Sequence, residues 1–128
     1  MNIDSYVADL ERRIVQSPLI SSYTITIDRK TVDIAFISGI IDLRNGITVD
    51  FKEYIEDNGD TIQKFMYGYN VRQDADVLFR YDNSPDPKAR KLASFPHHKH
   101  TKSGEIIASA LVDLFTVIEE IEKVIEPV

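Results

Sequence analysis

The chain reads as an α+β domain, a five-stranded antiparallel meander with an N-terminal and a C-terminal helix packed on one face of the sheet. Three observations predict this. Apolar residues recur at helical spacing in the first sixteen positions and again after residue 104, alternation at period two fills the middle, and short Asn/Asp/Gly turns separate the alternating runs. At 128 residues and 43 % hydrophobic content there is material for one core and no sign of a repeat or a second domain, so residues 1–128 are expected to form a single unit.

Ile3, Val7, Leu10 and Ile14 form the first amphipathic stripe. Asn2 is placed to cap the helix, and Ser17-Pro18 ends it, because the residue before proline is driven out of the α region. Tyr23, Ile25 and Ile27 alternate with Thr24 and Thr26 as a first strand, and Asp28-Arg29-Lys30 turns the chain. A second strand spans 32–43, where Gly39 predicts a bulge or bend. Asn45-Gly46 is a type I′ hairpin signal leading into a third strand over 47–54. After Asp57-Asn58-Gly59-Asp60 comes a fourth strand, 62–71, with Phe65, Tyr67, Tyr69 and Val71 on one face. Asp74-Ala75-Asp76 leads into a short fifth strand, 77–82. Periodicity is lost over 83–104, where Pro85, Pro87 and Pro96 break any helix or ladder, and long irregular loops in small domains are often functional. The final helix is expected over 105–125, on a stripe of Ile107, Leu111, Leu114, Ile118, Ile121 and Ile125, with Ser103 as its cap.

Composition excludes several functions. The absence of cysteine removes disulfides, thiolate metal sites and a cysteine nucleophile. No run approaches the roughly 18 apolar residues of a membrane span, and Met1-Asn2-Ile3-Asp4-Ser5-Tyr6 has no basic or apolar leader, so a cytosolic protein without membrane contact is expected. The net charge of −6 opposes non-specific nucleic-acid binding if spread evenly. It is not spread evenly. Between Ser84 and Gly104, Lys88, Arg90, Lys91, Lys99 and Lys102 stand against Asp86 alone, a basic island that can focus an anionic ligand or simply be a solvated loop.

The island holds every histidine of the chain, His97, His98 and His100. Acid–base work needs groups that titrate near neutrality, and neighbouring imidazoles beside a lysine that grips phosphate meet that need without a metal. His98 and His100, two apart, could also be metal ligands, with His97 as a third. Against this, the loop has no HxxxH, no HExxH and no acidic partner, and Lys99 between the ligands repels a cation; no cofactor is expected. Arg80 and Asp82 share one face at the end of the fifth strand, as a phosphate grip or an ordinary surface ion pair. Asp82 is also placed for turn chemistry with Asn83. Glu53 follows Ile47, Val49 and Phe51 at steps of two, so an unbroken strand aims it into the apolar face, whereas a bulge near Lys52 would turn it outward. Tyr67 and Tyr69, one strand away, are within reach of it or are plain core aromatics.

The succession Arg80-Tyr81-Asp82-Asn83-Ser84-Pro85, followed by Phe95-Pro96-His97-His98-Lys99-His100, resembles the TumE-like toxins of toxin–antitoxin pairs, whose pattern is R-[YW]-D-N-x-P and then F-P-H-H-x-H. Lys52-Glu53-Tyr54 and Tyr67-Gly68-Tyr69 are similar to their upstream pattern. A departure is Asp86-Pro87-Lys88, where relatives tend to carry further histidines. The resemblance implies a small toxin masked by an antitoxin, usually a helix-turn-helix protein. Combined with the residues, it leads to three expectations. The first is a metal-independent ribonuclease: His97, His98 and His100 supply acid and base, Arg80, Lys99 and Lys102 hold phosphate, Asp82 or Glu53 orients an imidazole, and Tyr67 and Tyr69 touch substrate. The others are a non-enzymatic module binding through the basic loop, and a metal-dependent nuclease or phosphotransferase. The apolar seam of the last helix could support a homodimer or be spent on the sheet.

Overall fold

The computed structural model describes residues 2–124, which form an α+β domain with two helices and one antiparallel sheet. The order is α1 (Ile3–Gln16), β1 (Ile20–Arg29), β2 (Ile34–Leu43), β3 (Ile47–Asp57), β4 (Ile62–Gln73), β5 (Asp76–Asp82), a 3₁₀ turn (Pro87–Ala89), β6 (His98–His100), β7 (Ile106–Ala108) and α2 (Leu114–Val124). The sheet is a meander in which sequential strands are spatial neighbours, but it has seven strands rather than five. Both extra strands come from segments read as loop and helix. His98–His100 adds to the edge of β5, and Ile106–Ala108 adds to β6.

The last helix therefore starts at Leu114, nine residues later than the stripe predicts. Asp113 starts it by accepting the Thr116 N–H at 2.8 Å, and Ser103 instead lies in the turn between β6 and β7 with Gly104 at φ +92°. Ile107 belongs to β7 and Leu111 is exposed, while Leu114, Ile118 and Ile121 are buried; Ile125 lies outside the described residues. Leu114, Ile118 and Ile121 pack into the chain's own core.

α1 behaves as its residues dictate. The Asn2 side chain accepts from the Ser5 N–H at 2.8 Å, and Ile3, Leu10 and Ile14 are buried against the sheet. The core lies between both helices and one sheet face, on Ile37, Ile41, Val49, Phe51, Ile55, Tyr67, Tyr69 and Tyr81. No helix among the described residues is long and apolar enough to cross a membrane.

Two local expectations are corrected. Pairing runs unbroken through Gly39, which faces Ile25 on one side and Phe51 on the other, so there is no bulge there. Glycine is required because the Phe51 ring lies over it: a Cβ would sit 2.5 Å from Phe51 Cε1 and 2.8 Å from the Thr24 carbonyl oxygen. Gly39→Ala is expected to destabilise by about 1–3 kcal/mol through overpacking, read as a lower denaturant midpoint at constant slope. An unchanged midpoint would show that the Phe51 ring gives way freely. The second correction is Phe65, which the alternation places beside Tyr67. The β3–β4 register slips between Tyr54 and Ile55, and Phe65 instead lies tilted against the Tyr54 ring with centroids 4.8 Å apart.

The face away from the helices is bare of any helix, although Asp82 and His98 on it are buried. Cross-strand pairing aligns Ser38, Lys52, Gly68, Asp82 and His98 in one row, and Ile40, Asp50, Asn70, Arg80 and His100 in the next. A groove of about 470 Å³ on this face is lined by Phe36, Ser38, Lys52, Gly68, Asn70 and Arg80 among others.

Candidate active site

β5 and β6 bring the two halves of the sequence motif side by side, with Asp82 opposite His98 and Arg80 opposite His100. Period-two geometry then projects all four side chains onto the bare face. Asp82 is the hub. Its Oδ1 lies 2.9 Å from His98 Nε2, and its Oδ2 lies 3.2 Å from His100 Nε2 and accepts the Arg80 Nε–H at 3.0 Å. The two imidazole Nε2 atoms are 3.1 Å apart, and Arg80 Nη2 is 3.0 Å from His100 Nε2. His98 is fully buried, His100 is partly open, and the Arg80 side chain is 47 % exposed, so solvent meets the cluster through Arg80 and His100.

Local chemistry holds the pieces. Asp82 Oδ1 also accepts the Ser84 N–H at 3.1 Å, an Asx turn that ends β5. The Pro96 carbonyl can only accept, so the 2.7 Å contact assigns a proton to His98 Nδ1. A guanidinium can only donate, so His100 Nε2 presents its lone pair to Arg80. Burial holds the His100 imidazole below its usual range, the Arg80 charge adds to this, and the Asp82 carboxylate partly opposes it.

Apart from Lys102, the remaining residues singled out from sequence lie on the helix-covered face. No bulge occurs at Lys52, so Glu53 points inward and is 1 % exposed. It accepts from Tyr6 at 2.6 Å and from Tyr69, with Lys64 Nζ at 3.7 Å. Lys64 donates to the Tyr69 hydroxyl at 2.6 Å and to the Val112 carbonyl at 2.7 Å. Burial pulls the Lys64 ammonium down, Glu53 opposing, while burial and then Glu53 push the Tyr6 and Tyr69 hydroxyls up. Burial, with the Asp82 charge adding to it, pushes the Tyr67 hydroxyl up to about 12. Tyr67 therefore stays protonated and donates to His97 Nδ1 at 2.9 Å. Lys99 reaches Glu120 of α2 at 2.8 Å and covers the Phe79 and Tyr81 rings. Lys102 is exposed in the β6–β7 turn. The structure thus unites Arg80, Asp82, His98 and His100, and sets His97, Lys99, Glu53, Tyr67 and Tyr69 across the sheet from them.

Sequence reasoning missed several supports. Asn83 accepts the Tyr67 N–H at 3.0 Å and donates to the Phe65 carbonyl at 3.1 Å, replacing ladder bonds beside the slipped register. Ser94 Oγ donates to the His97 carbonyl at 2.6 Å and accepts from Ser109 N–H at 3.1 Å, pinning the turn before β6. Asn83 stands in the motif itself and could have been found there; Tyr6, Lys64 and Ser94 carried no signal, because their partners are distant in sequence.

Fold and site together define a small α+β protein that carries an arginine-clasped His–Asp–His cluster on the uncovered face of an antiparallel sheet. The family model described as Toxin TumE matches residues 10–128. The chain belongs to that toxin family, as its two motifs imply. No curated protein and no solved structure gave a match.

Proposed function

We propose that the chain is a ribonuclease toxin whose chemistry runs on the bare sheet face, with His100 as general base and Arg80 as the phosphate-holding cation. The observation that carries this reading is the convergence of Arg80, Asp82, His98 and His100 beside a groove lined by Lys52 and Asn70. His100 Nε2 is a lone pair on a partly open side chain, next to an exposed guanidinium. Such a pair can take the proton from a ribose 2′-hydroxyl while the guanidinium grips the adjacent phosphate. The 2′-oxygen then bonds to phosphorus, the bond to the 5′-oxygen breaks, that oxygen takes a proton from water, and the hydroxide left behind takes back the proton held by His100. The products are a 2′,3′-cyclic phosphate and a 5′-hydroxyl. DNA lacks the nucleophile. Asp82 and the buried His98 position His100 and Arg80, acting through them rather than on substrate. The cognate antitoxin, expected to be a helix-turn-helix protein, would silence the toxin in the cytoplasm by covering this face.

A module binding only through a basic loop is less well supported, since Lys99 is ion-paired with Glu120 across the sheet from His100. In the direct test, labelled RNA is incubated with purified protein, with and without EDTA. Cyclic-phosphate ends that persist in EDTA are the expected product. Intact RNA under both conditions, from protein that still arrests growth, would sink the reading.

A further inference from the structure

We propose that Asp82, His98 and His100 form a binding site for a divalent transition-metal ion of the zinc class. The sequence objections to a cation were the missing acid and the presence of Lys99. Both vanish in the sheet, because Asp82 stands on the neighbouring strand and Lys99 points to the opposite face.

Three residues each bring a possible ligand atom to one place. His98 Nδ1 donates to the Pro96 carbonyl at 2.7 Å, which leaves Nε2 facing Asp82 Oδ1 as the ring atom that a metal ion would take in place of a proton. His100 Nε2, whose lone pair faces the Arg80 guanidinium, lies 3.1 Å from His98 Nε2 and 3.2 Å from Asp82 Oδ2. A ring nitrogen anchored on a backbone carbonyl while the other faces a carboxylate is the arrangement that orients metal-binding histidines. Asp82 Oδ1 lies 2.9 Å from His98 Nε2, Asp82 Oδ2 lies 3.2 Å from His100 Nε2, and the two imidazole nitrogens are 3.1 Å apart, so that one ligand atom from each residue falls within 4.8 Å of the others. A tetrahedral zinc ion with bonds of about 2.0–2.1 Å places its ligand atoms about 3.3 Å apart, close to the 3.1 Å between the two imidazole nitrogens, and the Asp82 carboxylate completes the set by turning one oxygen toward both rings. Two imidazoles and a carboxylate are a donor set for zinc rather than for magnesium or calcium, which take mostly oxygen. All three residues lie in or beside regular strands, so the site is largely built.

One contact opposes the ion. Arg80 Nη2 lies 3.0 Å from His100 Nε2, and Arg80 Nε lies 3.0 Å from Asp82 Oδ2. The Arg80 side chain is 47 % exposed and can swing into the groove, so the cation and the guanidinium compete for the same acceptors. Metal binding also takes the lone pair that the proposed ribonuclease reaction needs from His100. Occupancy by zinc should therefore block RNA cleavage; that consequence rests on the proposed function, whereas the binding itself does not.

The test is calorimetric titration of Zn²⁺ into the full cysteine-free chain. One ion per chain is expected. His100→Ala and Asp82→Asn should each weaken binding by at least about 100-fold, at or beyond the loss seen when a ligand's supporting residue is removed. Asp82→Asn keeps the Oδ1 acceptor for Ser84, which guards against misfolding, and circular dichroism checks both variants. His97→Ala should bind as wild type, and Arg80→Ala should bind more tightly. No binding by the wild type, or equal binding by the His100→Ala and wild-type chains, would overturn the site. RNA cleavage followed in the same samples separates the two proposals: inhibition by zinc supports both, whereas stimulation keeps the metal site and overturns the metal-free role of His100.

Discussion

His100→Ala is expected to lower RNA cleavage by at least about 100-fold while the protein stays folded, the usual loss when a general base is removed. Its side chain is 20 % exposed, and of its polar partners Arg80 is exposed while Asp82 and His98 are buried. Removing it leaves Asp82 with Arg80 and His98, and His98 with the Pro96 carbonyl, so the buried groups keep partners and the fold is expected to hold. Arg80→Ala should also abolish cleavage, and it should weaken RNA binding as well, because a bidentate grip on phosphate is lost. Arg80→Lys should rescue only in part, since an ammonium cannot reproduce the planar fork. His97→Ala is the control. That ring stacks on Tyr67 on the helix-covered face and should leave cleavage within a few-fold of wild type. The measurement is single-turnover cleavage by the four proteins, with growth arrest followed in parallel. Loss of activity in His97→Ala with retention in His100→Ala would move the chemistry to the other face and refute the assignment.

The pattern of success across the chain has a physical origin. The strands up to Asp82 are legible because each is longer than six residues and bounded by Asn, Asp or Gly turns, so period and punctuation agree. β6 and β7 are three residues each, too short to establish a period. They exist because β5 offers an unpaired edge, and an edge is a tertiary fact. Ile107 falls in step with the helical stripe that follows it, so hydrophobic spacing alone carries the helix nine residues too far back. The site was half legible for the same reason. Arg80, Asp82, His98 and His100 can be named from the motif, and strand pairing then joins them. What single-sequence reading lacked was the face of each residue in 95–100. Once His98–His100 is a strand, alternation separates Lys99 from its two neighbours, and His97 falls on the side of Tyr67. Glu53 shows the reverse case. Its inward aim follows from an unbroken period of two, but the identity of its partners, Tyr6 and Lys64, needed the packing of α1 and the slipped register of β4.

That buried carboxylate carries the second large effect. Glu53→Ala is expected to destabilise the fold by about 3–5 kcal/mol, because a charge partner is removed while the other polar groups stay buried. Tyr6 and Tyr69 lose their common acceptor, and Lys64, whose side chain is only 10 % exposed, loses its counter-charge. No buried side-chain polar atom among the described residues lacks a partner, so the substitution would create the first such vacancies. For a domain of this size the loss corresponds to a fall in Tm of roughly 10–20 °C. Glu53→Gln should cost less, since one carbonyl oxygen still accepts from a tyrosine. Replacing the pair together, as Glu53→Leu with Lys64→Met, should recover much of the loss, because apolar side chains of similar volume often replace a buried ion pair without penalty. Thermal unfolding of the three variants reads the stability, and RNA cleavage measured below the lowest Tm reads the function. The structural assignment requires cleavage by the folded fraction to stay near wild type. A Glu53→Ala protein with an unchanged Tm and no cleavage would make the carboxylate part of the chemistry, and would place that chemistry on the face that the helices cover.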